Sequence, residues 1–270
     1  MPTLVLDDYR QLIDLDRPFR PTADPAPPER FEELIAEITG DRTRDRQTLR
    51  SMLTVREPGA LMPSGQRPLD ALLGGERSLR PTVDVRTLPT ADGTRVLWRG
   101  DITTLRADAI VNAANSALLG CFQPSHRCVD NVIHAVAGPR LREDCHTIMS
   151  AQGGPEPTGG AKVTRGYHLP ARYVLHTVGP IVDGSLSAGH AAALASSYRS
   201  CLDLAAEVGD IRTVAFCSIS TGLFGFPKAP AARIALDTTA AWLDEHPGVL
   251  DRVVFDAFSP DDLAVYEEAL

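Results

Sequence analysis

The spacing of hydrophobic and polar positions changes near residue 85. Beyond that point, short runs rich in β-branched and aromatic residues alternate with longer segments whose apolar positions recur every three or four residues. The first pattern is typical of buried strands and the second of amphipathic helices. Strands that alternate with helices predict an α/β protein, with helices on both faces of a sheet. The predicted strands are 95–99, 109–111, 161–167, 173–178, 213–217 and 252–258, and the predicted helices are 130–136, 139–149, 190–208, 229–245 and one from 261.

The first eighty residues have a different pattern, in which short helices are separated by prolines. A connector over 17–28 contains five prolines. No chemistry is apparent in this region, and we expect it to pack on the main domain as a helical cap. We therefore predict a helical N-terminal extension over 1–82 and one α/β domain over 83–270. The predicted helices of the extension are 6–15, 29–38, 45–55 and 68–73, the last ending before Gly74 and Gly75.

Composition limits the classes of function that we expect and the cellular compartment of the protein. A formal net charge of −8 argues against a nonspecific nucleic-acid binder, which needs a basic surface. The first residues lack a basic and apolar leader, and no stretch approaches the ~18–20 apolar residues of a membrane span. We therefore expect a cytoplasmic protein without membrane or nucleic-acid partners. The sequence does not fix the oligomeric state, for which a monomer is the expectation.

The segment from 121 to 130 contains a compact set of metal-ligating residue types. Cys121, His126 and Cys128 fall within eight residues, and Asp130 follows. Two thiolates and an imidazole are a zinc-type ligand set, and three protein ligands leave a position open for water or substrate. On the residues alone, a metal site and ordinary core packing of cysteines remain equally open. The odd total of five cysteines favours metal binding or burial over a disulfide framework.

Polar or small residues follow three of the predicted strands, where ligands of α/β sheets collect. Asp101 either accepts a hydrogen bond from a ligand amino group or caps its own turn, and alone the capping interpretation is stronger. Of the two asparagines at the end of the next strand, we expect Asn112 to hold its own loop and Asn115 to contact a ligand. The segment 218–227 contains two glycines, so its amides either bind an anion or form an ordinary turn.

Taken together and in this order, the segments resemble the macrodomain family, over about residues 85–270. Val129–His134 is similar to the Val-Asp-Gly-x-Ile-His segment of MacroD-type hydrolases, and the cysteine cluster stands where those proteins have a glycine run. The same replacement is found in the zinc-containing macrodomains of bacteria and fungi, which also carry a helical N-terminal extension. The segments that support the resemblance are 100–102, 111–115, the acid-bearing helix start at 130, 158–161, 176–180 and 220–224.

The resemblance implies a three-layer α/β/α macrodomain with a central mixed sheet and ADP-ribose bound at the strand ends. It implies that Cys121, His126 and Cys128 hold Zn²⁺. His134, His176 and the other cysteines fall within predicted helices and strands, which favours structural roles for them. Phe224 or Phe226 is expected against the distal sugar or the phosphates. The residues expected to contact ADP-ribose are Asp101, Ile102, Asn115, Cys121, Asp130, Asn131, Ser220, Thr221, Gly222, Leu223 and Phe224.

The activity implied by the resemblance is removal of mono-ADP-ribose from an Asp- or Glu-linked ester on a modified protein. Asp130 and Asn115 are the expected catalytic residues: Asp130 orients or deprotonates water, and Asn115 holds the distal ribose. Zinc would either lower the pKa of a water molecule or polarise a substrate oxygen, and the sequence does not decide between these roles. Two alternatives stay open, a non-catalytic reader of ADP-ribosylated proteins and an O-acetyl-ADP-ribose deacetylase.

Overall fold

The computed structural model describes residues 3–270. The N-terminal region contains four helices: α1 (Leu6–Tyr9), α2 (Phe31–Thr39), α3 (Arg46–Val55) and α4 (Pro63–Leu79). The prediction over 6–15 was too long, because the chain turns after Tyr9 and Asp14 adopts a positive φ of 51°. None of the described helices has the length and apolar character needed to span a bilayer.

The rest of the chain contains eight strands and five helices among the described residues, in the alternating order that the sequence predicts. Several predicted ends move by one to three residues for local reasons. Tyr167, for example, has a positive φ of 52°, so it lies outside the strand that was predicted to include it. The elements are β1 (Val83–Asp84), β2 (Arg95–Arg99), β3 (Leu105–Arg106), β4 (Ala109–Ala114), α5 (Val129–Ala137), α6 (Pro139–Gln152), β5 (Ala161–Arg165), β6 (Tyr173–Val178), α7 (Ala188–Val208), β7 (Thr213–Phe216), α8 (Lys228–Glu245), β8 (Arg252–Ala257) and α9 (Pro260–Ala269).

Six of these strands form one mixed sheet in the order β2-β8-β7-β4-β6-β5. Every neighbouring pair is parallel except β5 with β6, which is antiparallel. Helices flank the sheet, which confirms the predicted layered α/β architecture with a central mixed sheet and a helical N-terminal region. Because five adjacent strands run in parallel, their carboxyl ends meet at one edge of the sheet, where polar loops can converge on a ligand.

Packing divides the N-terminal region into two parts. The side chains of Leu6, Tyr9, Ile13 and Leu15 are buried in the main core together with the sheet. The Tyr9 hydroxyl also accepts a hydrogen bond from the backbone N–H of Val163 on edge strand β5, at 3.0 Å. The first segment is therefore part of the α/β core rather than of a separate cap. The second part has its own small cluster, formed by Ala26, Leu34, Ile35, Leu49, Ala71 and Leu72.

Helix α4 continues through the glycine pair at which the sequence predicted its end. A Cβ on Gly75 would overlap the carbonyl oxygen of Ala26 and lie 2.7 Å from the Cε1 atom of Phe31. The glycine therefore allows the proline-rich connector to approach the helix closely. The prediction of a helix ending at Leu73 was wrong, because close packing rather than chain reversal requires the glycine.

Candidate active site

Five loops meet at the carboxyl edge of the parallel strands. They follow β2, β4, β6, β7 and β8, and they begin near Gly100, Asn115, Gly179, Cys217 and Phe258 respectively. The sequence-predicted site residues all lie on these loops or on the start of α5. The fold therefore brings together at one edge residues that are separated by more than a hundred positions in the sequence.

The three predicted metal ligands are close enough to share one ion. The Cys121 Sγ and His126 Nδ1 atoms are 3.3 Å apart, and the ligand atoms of Cys121, His126 and Cys128 all lie within 4.8 Å of one another. Zinc bonds of about 2.3 Å to sulfur and about 2.0–2.1 Å to nitrogen place tetrahedral ligands about 3.5 Å apart. All three side chains are half-buried. The donor set and its spacing therefore fit a zinc ion with one open position.

The loop over 117–128 carries the three predicted metal ligands and is called the metal loop below. Two asparagines fix its conformation. The Asn131 amide donates to the carbonyl oxygens of Gln123 at 3.0 Å and His126 at 2.7 Å. Asn131 was predicted to contact ADP-ribose, but it is buried and both its amide hydrogens are taken by the loop. The Asn115 amide donates to the Gly120 carbonyl at 3.1 Å, while its oxygen accepts from a backbone amide. Asn115 is half-buried beside the metal loop.

Asp130 lies in the first turn of α5, two residues after the predicted metal ligand Cys128, which caps this helix. Its Oδ1 atom accepts a hydrogen bond of 2.8 Å from the Asn112 amide and lies 3.4 Å from the Nε2 atom of His134. Burial raises the pKa of the Asp130 carboxyl to about 6, against the opposing effects of the Asn112 hydrogen bond and the Arg142 charge. The result is a desolvated carboxyl group held in one orientation.

Asn112 has a role that the sequence did not indicate. It was predicted to hold its own loop, and this prediction was wrong, because its side chain points into the core from β4 and supports Asp130. The same amide donates to the Nδ1 atom of His176 at 3.1 Å, and the His176 Nε2 atom lies 2.9 Å from the Thr164 hydroxyl. Burial lowers the pKa of His176 to about 3, so the ring is neutral. Asn112, His176 and Thr164 thus form a buried chain behind Asp130.

Cys145 and His134 lie beside this buried chain. The Cys145 Sγ atom is 3.7 Å from His176 Nε2, and the ligand atoms of His134, Cys145 and His176 fall within 4.8 Å of one another. Both nitrogens of His176 already take part in hydrogen bonds, and burial raises the pKa of the Cys145 thiol. The group therefore belongs to the core, as expected from the sequence.

At the far end of the edge, Asp101 caps a short 3₁₀ turn that begins at Ile102. Its Oδ1 atom accepts from the backbone N–H of Thr103 at 2.9 Å and from its hydroxyl at 2.7 Å. Asp101 is exposed, whereas the Ile102 side chain is buried. The carboxylate therefore caps the turn through one oxygen, and Oδ2 makes no hydrogen bond to the residues that the structure describes.

Two residues near Asp101 were not singled out by the sequence. Asp256, at the end of β8, is buried, and its Oδ1 atom has no hydrogen-bond partner within residues 3–270. Burial, with the nearby negative charge of Asp101, raises the pKa of Asp256 to about 8. Phe258 follows β8 and its side chain is 77% exposed. An acid that ends a buried strand, followed by an aromatic residue, is the signal that could have identified both.

The loop after β7 has an open, strained backbone. Ser220 has a positive φ of 64°, and a Cβ on Gly179 would overlap its hydroxyl oxygen, so the two loops touch here. The backbone amides of 221–224 donate to no acceptor among the described residues, and Gly222 and Leu223 are exposed. Unpaired amides on adjacent residues form an anion-binding surface. The predicted phosphate loop therefore has the free donors that such a role needs.

Comparison with known proteins confirms the predicted macrodomain fold. The family model described as Macro domain matches residues 111–235. A protein-ADP-ribose hydrolase of Treponema medium is 44% identical over 87% of this chain and 90% of its own length. A protein of the same name from Staphylococcus aureus (strain Mu50 / ATCC 700699) is 47% identical over 74% of this chain and 75% of its own length.

A solved structure of similar fold supports the same family assignment. The Trypanosoma brucei macrodomain in complex with ADP-ribose superposes with a TM-score of 0.64 at 36% identity, covering 83% of this chain and 96% of the other. The chain belongs to the macrodomain family. Within that family, its curated relatives are hydrolytic enzymes, which confirms the expectation of an enzyme of this class.

Proposed function

We propose that this protein is a zinc-dependent hydrolase that releases mono-ADP-ribose from acidic side chains of modified proteins. The observation that carries the proposal is the cluster of Cys121, His126 and Cys128 at the strand ends, on the loop that leads into the helix start with the buried Asp130. Relatives at 44–47% identity named protein-ADP-ribose hydrolase support the reaction class and the substrate class. The thiolate-imidazole donor set supports zinc as the metal.

Different residues along this edge of the sheet would bind different parts of ADP-ribose. The free amides of 221–224 would hold the pyrophosphate, and the free oxygen of Asp101 would accept from the adenine amino group. Asn115 and the metal loop would surround the distal ribose. With this order, we expect the bond to be cut to lie next to the proposed metal ligands.

Asp130 would orient the attacking water and accept its proton, since its position is fixed by the Asn112 amide. A zinc ion on the three ligands would supply either a lower pKa for that water or polarisation of a substrate oxygen. An ester to Asp or Glu suits this site, because its carboxylate leaving group needs little acid assistance. The Asp/Glu linkage is therefore the linkage we propose.

The first experiment measures metal content and hydrolysis together. We expect about one zinc per chain in the wild type and release of ADP-ribose from an Asp/Glu-modified protein. Cys128→Ser and chelation should each lower the rate by at least about tenfold, the lower bound for disturbing the surroundings of a metal site. Cys201→Ser removes a buried cysteine of α7 remote from the loop and should retain both zinc and activity.

The same samples distinguish the two alternatives. Tight binding of ADP-ribose without any release would identify a reader, and preference for O-acetyl-ADP-ribose over the modified protein would identify a deacetylase. Equal rates for the wild type, Cys128→Ser and the chelated sample would show that zinc has no part in the reaction.

A further inference from the structure

Arg142 on α6 joins the N-terminal helices to the metal loop. Its side chain is buried, and it has no carboxylate partner among the described residues. On one side, it donates to the carbonyl oxygens of Leu53 at 3.1 Å, Thr54 at 3.1 Å and Arg56. On the other side, its Nε atom donates to the carbonyl oxygen of Leu119 at 2.7 Å. A single guanidinium therefore bonds to two separate segments of the chain.

The first set of carbonyls explains why an unpaired cation is stable in this position. Leu53 and Thr54 lie in the last turn of α3, and Arg56 is the residue at its C-cap. The carbonyl oxygens at the end of a helix lack partners within the helix, and the helix dipole is negative there. Arg142 satisfies several of these oxygens and is itself stabilised by them. Without α3, the buried charge would lose most of its hydrogen bonds.

The second contact fixes the beginning of the metal loop. Leu119 is two residues before the first metal ligand, and the Phe122 ring lies with its centroid 4.5 Å from the Arg142 Cζ atom. Leu119 and Phe122 therefore hold the loop on either side of Cys121. Between them, Gly120 has a φ of 83° and a tight approach to the His134 ring, so the backbone has little freedom there.

We propose that Arg142 is a positioning residue for the metal site, and that α3 acts on that site through it. The N-terminal helices would then be required to hold Cys121 in place for metal binding. This role rests on the proposed zinc-dependent function, but its structural part, an ordered loop over 117–128, can be tested without metal or substrate.

The neighbouring residue provides a matched control. Glu143 also ties α6 to the N-terminal region, accepting from the Arg56 guanidinium at 2.9 Å and from the Gly59 backbone N–H at 2.6 Å. It makes no hydrogen bond to the metal loop among residues 3–270. If Arg142 only stabilises the docking of the helices, Glu143→Gln and Arg142→Gln should have the same effects at the metal site.

The experiment compares the full chain as wild type, Arg142→Gln, Arg142→Lys and Glu143→Gln. Amide hydrogen exchange of 117–128 is measured in the metal-free state, zinc transfer to a colorimetric chelator in the zinc-loaded state, and kcat and KM in the active state. For Arg142→Gln we expect faster exchange in the loop and a rise in zinc release of about 10–100-fold, with a lower kcat, as for other changes around a metal's ligands. Arg142→Lys should fall short of rescue, since an ammonium group lacks the planar fork that bonds to both segments.

Glu143→Gln should lower the thermal midpoint while zinc release stays within about twofold of the wild type, a small effect beside the 10–100-fold expected of Arg142→Gln. Equal zinc release for Arg142→Gln and Glu143→Gln, or unchanged exchange of 117–128, would overturn the proposal. If Arg142→Gln does not fold, Phe122→Leu tests the same contact, because it removes the ring and leaves the bonds to α3. A wild type that binds no zinc would contradict the proposed function, whereas the exchange measurement would still decide whether Arg142 orders the loop.

Discussion

Three buried polar residues at the edge of the sheet show how burial determines what a side chain does. Asn112 supports Asp130, Asn131 holds the metal loop, and Asp256 has a carboxyl oxygen without a hydrogen-bond partner in the described chain. The amides of Asn112 and Asn131 donate to buried acceptors, so each should stabilise its neighbours. Asp256 differs, because a buried carboxylate without a full set of partners costs stability. Its effect should therefore depend on pH.

Asp256→Asn is expected to stabilise the protein at alkaline pH. Burial raises the pKa of Asp256 from its ordinary value of 3.8 to about 8 in the folded chain. Between those pH values the folded state holds more protons than the unfolded state, so the free energy of unfolding falls as pH rises through this window. Asparagine removes that loss. In urea unfolding at pH 9, the variant should have a higher free energy of unfolding than the wild type. This difference should vanish toward pH 4.

Asp237→Asn, on the exposed face of α8, serves as the control and should stay within about 0.5 kcal/mol of the wild type at both pH values. Groups that face Asp256 include Asp101 and Asp262, and Asp262 is paired with Lys228 at 2.6 Å. A difference between Asp256→Asn and the wild type that grew as the pH fell would contradict the assignment.

At the scale of elements, sequence patterns located almost every helix and strand, but they misjudged what ends an element. Helix α4 passes through Gly74 and Gly75, since the connector packs against the helix there. Glycine is a weak helix former, and a pair of glycines normally favours a helix end. Here the free energy gained by packing the connector outweighs that preference. Helix propensity and packing thus make opposite predictions for a substitution.

Gly75→Ala is expected to destabilise the protein although alanine favours helices. The new Cβ would overlap the Ala26 carbonyl and the Phe31 ring, and overpacking of this kind costs about 1–3 kcal/mol. Gly65→Ala in the same helix has open space around the Cβ and should stabilise by up to about 1 kcal/mol. Thermal unfolding of both variants measures the difference. If both were stabilised, the close approach of the connector would be disproved.

At the scale of the whole molecule, the first segment of the chain belongs to the main core although a connector and three helices separate it from the sheet in sequence. Its apolar side chains pack with the α/β domain, while α2, α3 and α4 form a smaller cluster. A cut at residue 82 would therefore remove part of the main core as well as the helical cap. The predicted boundary at residue 82 marks a change in the hydrophobic pattern of the sequence. It does not coincide with the boundary between the two hydrophobic clusters of the structure.

A neighbouring pair of substitutions tests this packing. Ile13 is 3% exposed in the main core, and Leu12 beside it is 56% exposed. Ile13→Ala should lower the free energy of unfolding by about 2–5 kcal/mol, as expected for a buried large-to-small change. Leu12→Ala should change it by less than about 0.5 kcal/mol. Equal and small effects in urea unfolding would show that the segment does not contribute to the core.

The sequence by itself determined the α/β class, the order of the strands and helices, and the cluster of Cys121, His126 and Cys128. These features are local: alternation, helical periodicity and ligands within eight residues depend on neighbours along the chain. The resemblance to macrodomains extended the local patterns to a fold and a reaction class, both of which the comparisons confirmed.

Only the tertiary structure decided which buried polar groups meet. Asn112 bonds to a residue 18 positions away and another 64 away, and Arg142 joins carbonyls 23 and 88 positions away. No spacing rule specifies such pairs, because each depends on how helices and strands pack after their own patterns are satisfied. The cluster of Cys121, His126 and Cys128 could be found from the sequence, whereas the residues that hold its loop in place could not.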